Sequence, residues 1–201
     1  TRYKITLEYD GTDLIGWQQN HQGPSVQSLL MDAIEKFCGV RPDIVAAGRT
    51  DAGVHAIAMV AHFDLEKHQA ASTVMRAMNF YLVNSPVSVL TCDIVPDDFN
   101  ARFSCICRHY RYVVLNRGAQ PVLEKNRVWW VPRKLNITAM RRAAKQLLGN
   151  HDFTSFRATQ CQAKSPIKTL DTCQIKRSGD YVVFEFSARS FLHHQVRNMV
   201  G

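Results

Sequence analysis

Hydrophobic and polar residues alternate strictly over residues 3–9, at the start of the chain. A period of two is typical of a β-strand with one buried face. Over residues 26–37 the apolar side chains instead recur at helical spacing, which predicts an amphipathic helix. Ser25 is a suitable N-cap for this helix, and Gly39 is suited to end it.

Four more elements are predicted in the first half of the chain. They are strands at residues 43–47, 58–63 and 88–94, and a helix at residues 72–82. The resulting order of strand, helix, strand, strand, helix, strand is typical of a ferredoxin-like, split βαβ unit, with helices on one face of an antiparallel sheet. We therefore predict an N-terminal α+β domain over residues 1–100, with a boundary near the Pro-Asp-Asp sequence at residues 96–98.

The second half, residues 101–201, again mixes strands with a covering helix. The predicted elements are a strand at 108–115, a helix from the Asn136 cap to Gly149, a hairpin of strands 169–176 and 181–188, and a closing helix within 190–201. On the closing helix, His193 and Arg197 have the i, i+4 spacing that places two side chains on one face. Because the sequence stops within this helical pattern, we expect this C-terminal domain to be truncated.

Composition indicates a soluble, globular and cytoplasmic protein. The chain is 46% hydrophobic, yet it has no apolar run of the roughly 20 residues that cross a bilayer, and it begins with a strand pattern instead of a signal peptide. Its six cysteines are scattered without a Cys-x-x-Cys pair. We therefore expect reduced thiols, with neither a disulfide framework nor a zinc site.

Positive charge is concentrated in the middle of the chain. The formal net charge is +8, and the run from Arg102 to Lys134 contains many lysines and arginines but a single acid, Glu124. Such a run favours a polyanionic partner, because basic groups that contact phosphates release counterions. A solvated basic face that serves solubility alone is the other interpretation.

Aromatic and basic residues alternate in the predicted strand at residues 108–115. Tyr110 and Tyr112 would lie on one face, with Arg111 on the other. This arrangement suits nucleic acid, since bases stack on aromatic rings while cations meet phosphates. A tyrosine in a strand is more often half-buried core, and for either tyrosine alone we favour that interpretation.

The candidate chemistry lies in the loop of residues 48–56, which carries Arg49, Asp51 and His55 between Gly48 and Gly53. Glycines permit a tight loop that a ligand can approach closely. The simpler interpretation is an ordinary turn in which the Asp51 side chain bonds its own backbone. Alternatively, Asp51 is a catalytic nucleophile or base that a nearby arginine keeps ionised.

Metal and nucleotide cofactors are not indicated. His193 and His194 are adjacent, so on a helix their side chains would diverge by about 100°, and no phosphate-binding glycine-rich loop is present. Two other classes of function remain open at this point. One is a nucleic-acid-binding module or chaperone without chemistry, and the other is a metal-dependent hydrolase that uses Asp51, His55 and His62.

Several motifs, in order along nearly the whole chain, are similar to those of the TruA family of tRNA pseudouridine synthases. They are Tyr-Asp-Gly-Thr (9–12), Gly-Trp-Gln (16–18), Ser-Val-Gln (25–27), Ala-Gly-Arg-Thr-Asp-Ala-Gly-Val-His (47–55), Asp-Asp-Phe-Asn-Ala-Arg-Phe-Ser (97–104), Arg-His-Tyr-Arg-Tyr (108–112), His-Asp-Phe-Thr-Ser-Phe-Arg (151–157) and Val-Arg-Asn-Met-Val-Gly (196–201). The resemblance favours a catalytic role for Asp51 over an ordinary turn.

The resemblance implies an enzyme that isomerises uridine to pseudouridine in the anticodon stem-loop of tRNA, at positions 38 to 40. It implies no cofactor and no metal. The expected fold is the pseudouridine synthase fold, α+β, in which two ferredoxin-like halves with antiparallel sheets form a central cleft. The expected assembly is a homodimer that binds the anticodon arm of tRNA. The alternative is a tRNA-binding module or chaperone without catalysis.

The resemblance also implies a role for individual residues. Asp51 is the catalytic aspartate, which attacks C1′ or C6 or removes the 2′ proton. Arg197 pairs with this aspartate, and Tyr110 stacks on the target base. The expected substrate-binding residues are Tyr110, Arg49, His55, Arg102, Arg108 and Arg111. Among them, Arg49 is expected to enter the RNA as the target nucleotide leaves it, which agrees with the physics of base flipping.

Overall fold

A computed structural model describes residues 1–201. The chain divides into two compact units, Thr1–Cys105 and Ile106–Gly201. Both combine helices with mainly antiparallel sheets, so the predicted α+β class is confirmed. None of the helices has both the length and the apolar character needed to cross a membrane.

The first unit contains four strands and two helices in the predicted order. They are β1 (Arg2–Tyr9), α1 (Val26–Cys38), β2 (Val45–Ala46), β3 (Ala56–Asp64), α2 (Ala71–Tyr81) and β4 (Val87–Val95). The sheet order is β2-β3-β1-β4, and every neighbouring pair is antiparallel. Strand β1 therefore lies inside the sheet, with hydrogen bonds to β3 and β4.

Alternation in β1 and a helical stripe in α1 build the core of this unit. Tyr3, Ile5 and Leu7 are fully buried, and they share one hydrophobic cluster with the apolar faces of α1 and α2. Helix α1 begins with a reciprocal capping box between Ser25 and Ser28 and ends at Gly39, whose φ is 74°. Both predicted ends of α1 are therefore confirmed.

One prediction for the first unit needs correction. Strand β2 covers only Val45–Ala46 and not residues 43–47. Trp17 lies in the loop between β1 and α1, and its side chain belongs to the core, with only 2% exposed. Its ring packs near that of Tyr9, with the two centroids 6.4 Å apart.

The second unit contains six strands, two helices and a short 3₁₀ turn at Thr154–Phe156. The strands are β5 (Arg108–Leu115), β6 (Trp129–Trp130), β7 (Gly149–Asp152), β8 (Ile167–Leu170), β9 (Thr172–Ser178) and β10 (Tyr181–Ala188), and the helices are α3 (Ile137–Gln146) and α4 (Gln195–Val200). Strands β6-β5-β10-β9 form a mixed sheet in which only β5 and β6 are parallel, and β7 pairs with β8.

The hairpin and the helix ends of this unit differ from the prediction. The single strand expected at 169–176 is two strands, β8 and β9, because the chain leaves the β7 pairing at Asp171, whose N–H donates to the Ser187 carbonyl at 2.9 Å. Helix α3 ends at Gln146 instead of reaching Gly149. Gly149, with a φ of 94°, begins β7.

The closing helix is shorter than predicted. His194 has a left-handed backbone with a φ of 62°, so α4 begins only at Gln195. His193 therefore lies outside the helix, and the predicted i, i+4 relationship with Arg197 is wrong. The argument that His193 and His194 must diverge on a helix is wrong for the same reason. Their ring centroids are 4.0 Å apart, and one ligand nitrogen of each ring lies within 4.8 Å of the other.

Candidate active site

The Asp51 turn follows β2 and leads into β3, and it is held by the chain that follows β1. The Trp17 N–H donates to the Thr50 carbonyl at 3.0 Å, and the Gly53 N–H donates to the Leu14 carbonyl at 3.3 Å. Backbone hydrogen bonds therefore fix the turn on both sides of Asp51. The Asp51 side chain is half-buried on this supported turn.

Two glycines let the supporting chain approach the turn closely. A Cβ on Gly11 would lie 2.2 Å from the Val54 carbonyl oxygen, and one on Gly16 would lie 2.6 Å from that of Thr50. Real Cβ atoms essentially never make contacts this short, so both positions require glycine. We name residues 9–17 the support segment.

A buried tyrosine contacts the residue directly before Asp51. The Tyr9 hydroxyl lies 2.8 Å from Thr50 Oγ1, and only 4% of Tyr9 is exposed. Tyr9 is the last residue of β1, where it lies opposite Ala56 of β3 and Val87 of β4. The hydroxyl that meets Thr50 is therefore carried by a ring fixed in the sheet.

His55 joins the other end of the loop to the support segment. Its Nδ1 lies 3.1 Å from the Gly11 N–H and 3.0 Å from Asp10 Oδ1. The same Asp10 oxygen accepts from the backbone N–H and the hydroxyl of Thr12. A deprotonated Nδ1 accepts from Gly11, whereas a protonated one donates to Asp10. His55 thus contacts the support segment in either form.

Arg49, the remaining candidate site residue in the loop of residues 48–56, is exposed. Arg102, also exposed, has its guanidinium carbon 5.8 Å from the centre of the Phe103 ring. Both side chains lie at the surface of their unit, which is where contacts with an external polyanion are made.

His62 has a structural place in β3. Its side chain is buried, and its Nδ1 accepts a hydrogen bond from the Ala101 N–H at 3.2 Å. Burial, assisted by the nearby Arg2 charge, lowers the pKa of His62. The ligand atoms of Asp51, His55 and His62 are not gathered as a metal site. The hydrolase interpretation therefore loses its predicted ligand set.

In the second unit, Tyr110 lies in β5 directly opposite Phe186 of β10. Its ring is partly buried, packs against the core cluster and meets the Phe191 ring edge to face, with centroids 5.0 Å apart. Tyr112 packs against the same cluster. Arg111, which lies between the two tyrosines, does not pack against this cluster but pairs with Glu185. The predicted placement of the tyrosines on one face of the strand and Arg111 on the other is therefore confirmed.

The basic run is partly neutralised by acids that come from elsewhere in the sequence. Arg111 Nη2 lies 3.3 Å from Glu185 Oε1, and Lys176 Nζ lies 2.7 Å from the other oxygen of this carboxylate. Lys176, together with Arg111, lowers the pKa of Glu185. A second arginine of the run, Arg117, lies 3.7 Å from Asp180. The sequence count of one acid against many bases therefore overstates the positive charge of this surface.

Two further candidates, Arg108 and Arg197, differ in their surroundings. Arg108 donates from Nη1 to the Arg189 carbonyl, next to the end of β10. Arg197 is exposed on α4, and two side-chain hydrogen bonds hold this short helix in place. The buried Gln195 accepts from the Leu192 N–H at 2.8 Å, and Asn198 donates to the Phe156 carbonyl at 2.9 Å.

Sequence reasoning did not identify the support segment as part of the site. Tyr9, Asp10 and Thr12 belong to one of the family motifs, but no role in the site was predicted for them. The available signal was the pair Gly11 and Gly16, since two glycines within one short segment are compatible with a close backbone approach.

The fold and these residues define an α+β protein that displays a carboxylate on a rigid turn in one unit and a tyrosine-arginine strand in the other. Comparison with known proteins makes the class specific. A family model described as "tRNA pseudouridine synthase" matches residues 5–104 and 143–201.

Curated relatives cover the whole chain. It is 54% identical over 202 residues to "tRNA pseudouridine synthase A" of Mesorhizobium japonicum, covering 100% of this chain and 82% of that protein. Proteins of the same name from Paramagnetospirillum magneticum and Rhodopseudomonas palustris are 52% and 54% identical over 200 residues, covering 78% and 81% of their lengths and all of this chain. The chain therefore belongs to the TruA family of tRNA pseudouridine synthases, which are isomerases.

Proposed function

We propose that this enzyme isomerises uridine to pseudouridine in the anticodon arm of tRNA, at positions 38 to 40, with Asp51 as its catalytic residue. The observation that carries the proposal is the Asp51 turn. Its carboxylate stands on a backbone that the support segment fixes through Trp17 and Leu14. The tRNA substrate is supported by the names of the relatives.

The reaction exchanges one glycosidic bond for another. The bond from base N1 to ribose C1′ breaks, the base rotates, and a bond from C5 to C1′ forms. The proton on C5 is then released, and N1 gains a proton, so the product is an isomer of the substrate. Asp51 starts this sequence by attacking C1′ or C6, or by removing the 2′ proton. All three steps require an ionised carboxylate held at a defined point.

The other candidates are proposed in the roles that the family motifs imply. Tyr110 stacks on the target base, and its packing against Phe191 suits a ring that must keep one orientation. Arg197 supplies the positive charge that pairs with the Asp51 carboxylate. Arg49 fills the gap that the target nucleotide leaves when it flips out of the stack.

The proposed RNA contacts are Arg102, Arg108, Arg111 and His55. Basic side chains position a nucleic acid through its phosphates. We extend the proposal to the family's architecture of two ferredoxin-like halves with a central cleft, and to a homodimer. The sheet order β2-β3-β1-β4 of the first unit is consistent with that architecture. The domain limits 1–100 and 101–201, and the cytoplasmic location, stay predictions.

The test measures tritium release from tRNA that carries C5-labelled uridine, in parallel samples with and without a chelator. We expect the parent chain to release tritium, and we expect Asp51→Asn to bind tRNA normally but to release none. Asp43→Asn is the matched control, because Asp43 is an exposed carboxylate of the same unit that lies outside both the support segment and the Asp51 loop. The control should release tritium at the parent rate.

Three results would contradict the proposal in different ways. Tritium release by Asp51→Asn at the parent rate would remove Asp51 from the chemistry. Binding of tRNA by the parent without any tritium release would favour the non-catalytic binding module. Loss of release in the presence of the chelator alone would favour a metal-dependent reaction.

A further inference from the structure

We propose that Tyr9 is a positioning residue for the reaction, acting on Asp51 through its hydrogen bond with Thr50. The inference rests on the proposed catalytic role of Asp51. It begins from the 2.8 Å contact between the Tyr9 hydroxyl and Thr50 Oγ1, next to the Asp51 turn. Tyr9 itself is almost fully buried.

The contact connects the turn to the interior of the sheet of the first unit. Strand β1 lies inside the sheet, and Tyr9 has a partner on each side, Ala56 in β3 and Val87 in β4. The Tyr9 ring also packs against Trp17, which is 2% exposed. The hydroxyl that reaches Thr50 thus has little freedom to move.

Residue 50 is consequently held at two points. Its carbonyl accepts from the Trp17 N–H at 3.0 Å and lies against Gly16, while its side chain meets Tyr9. The carbonyl contacts hold the peptide that joins Thr50 to Asp51, but they leave the Thr50 side chain able to rotate. The Tyr9 contact removes that rotation, so residue 50 is held through both its backbone and its side chain, directly before Asp51. A displacement of about 1 Å at a reacting group can cost about 100-fold in rate.

A buried tyrosine hydroxyl could also stabilise the fold without any effect on catalysis. Tyr3 provides a matched comparison, because it lies in the same strand, on the same buried face and in the same core cluster. Its hydroxyl donates to the Gln69 carbonyl and accepts from the Gln69 N–H, both at 2.8 Å. Gln69 belongs to a loop that holds none of the candidate site residues.

The first experiment compares Tyr9→Phe with Tyr3→Phe in the full chain. For each variant, kcat and KM of tritium release, the Kd for tRNA and the Tm are measured. We expect both variants to lose about 2–4 °C in Tm, since each loses a buried hydroxyl. We expect only Tyr9→Phe to lower kcat, by about tenfold, with KM and Kd unchanged.

The second experiment assigns the effect to the pair. Thr50→Val keeps the shape of the side chain without its hydroxyl, and Thr50→Ser keeps the hydroxyl. We expect Thr50→Val to lower kcat as much as Tyr9→Phe does, and Thr50→Ser to retain the parent kcat within about twofold. The double variant of Tyr9→Phe and Thr50→Val should be no slower than either single variant, because both changes remove one interaction.

Each outcome separates this inference from the proposed function. An unchanged kcat in Tyr9→Phe, with Asp51→Asn inactive, would overturn the positioning role and leave the function intact. A higher KM or Kd at constant kcat would overturn it in favour of substrate binding by Tyr9. An equal loss of kcat in Tyr3→Phe would mean that the loss in Tyr9→Phe reflects general stability and not the positioning of Asp51. An active Asp51→Asn would instead overturn the proposed function on which the inference rests.

Discussion

Gly16 and Thr50 approach each other so closely that no side chain fits between them. A Cβ on Gly16 would stand 2.6 Å from the Thr50 carbonyl oxygen, and the φ of Gly16 is 107°. Space and backbone conformation therefore require glycine independently. The contact couples the support segment to the Asp51 turn, so a change at Gly16 should affect both folding and the site.

Gly16→Ala is expected to destabilise the protein by about 2–5 kcal/mol, because it combines backbone strain with an overlap against fixed backbone. Tritium release should fall more than stability alone explains, since the overlap displaces Thr50 next to Asp51. Thermal unfolding and the rate of release at a temperature where the variant is folded provide the measurement. Gly39→Ala is the control, because Gly39 has a φ of 74° with open space around it. It should cost about 1 kcal/mol and leave the rate unchanged.

Glu185→Gln is expected to tighten tRNA binding. The Glu185 carboxylate pairs with both Arg111 and Lys176, so its neutralisation leaves these cations available for phosphates. The slope of log K against log salt should become steeper by about 1, as for one added phosphate contact. Binding titrations at several salt concentrations test this. Asp171→Asn removes the same charge at another exposed site of the second unit and should change the slope little. Equal slopes in both variants would mean that Arg111 does not contact RNA.

Asn116→Ala is expected to destabilise the second unit by about 2–4 kcal/mol. Its buried amide donates to the Val131 and Arg133 carbonyls at 2.8 and 2.7 Å, and its oxygen accepts from the Leu135 N–H at 3.3 Å. Removal of the amide leaves these backbone groups without their partner. Chemical denaturation measures the loss. Asn150→Ala, which removes one exposed hydrogen bond to Thr169, should cost no more than about 0.5 kcal/mol.

Acid is expected to destabilise the first unit through His62. Burial holds the pKa of His62 below its unfolded value of about 6.5, so the unfolded chain binds a proton more readily than the folded one. The contribution of His62 is therefore fully present above about pH 6.5, and it is lost progressively as the pH falls toward the folded pKa.

The measurement for His62 is the Tm between pH 7.5 and 5. His62→Asn supplies a side-chain acceptor for the Ala101 N–H but does not titrate. This variant should be less stable at neutral pH, and its Tm should fall less steeply with acid than that of the parent. Parallel Tm profiles for the two proteins would show that His62 does not contribute to acid sensitivity.

Local patterns predicted the first unit well. Alternation in β1, the Ser25 cap and Gly39 are signals carried by a few neighbouring residues, and the fold uses them as they stand. In the second unit, the break at Asp171 depends on a hydrogen bond to Ser187, and the late start of α4 depends on the backbone of His194. Neither the strand break nor the late helix start follows from the preferences of neighbouring residues. The periodic pattern of the sequence therefore predicted an unbroken strand and a longer helix.

The sequence by itself determined the α+β class, the order of elements in the first unit, the candidate Asp51 and, through its motifs, the family. Tertiary structure alone decided how that aspartate is held, which acids pair with the basic run and where His62 is used. Those properties arise from contacts between residues far apart in the chain, such as Tyr9 with Thr50 and Arg111 with Glu185. Period and propensity describe only near neighbours, and such distant pairs become fixed only when the strands pair and the core packs.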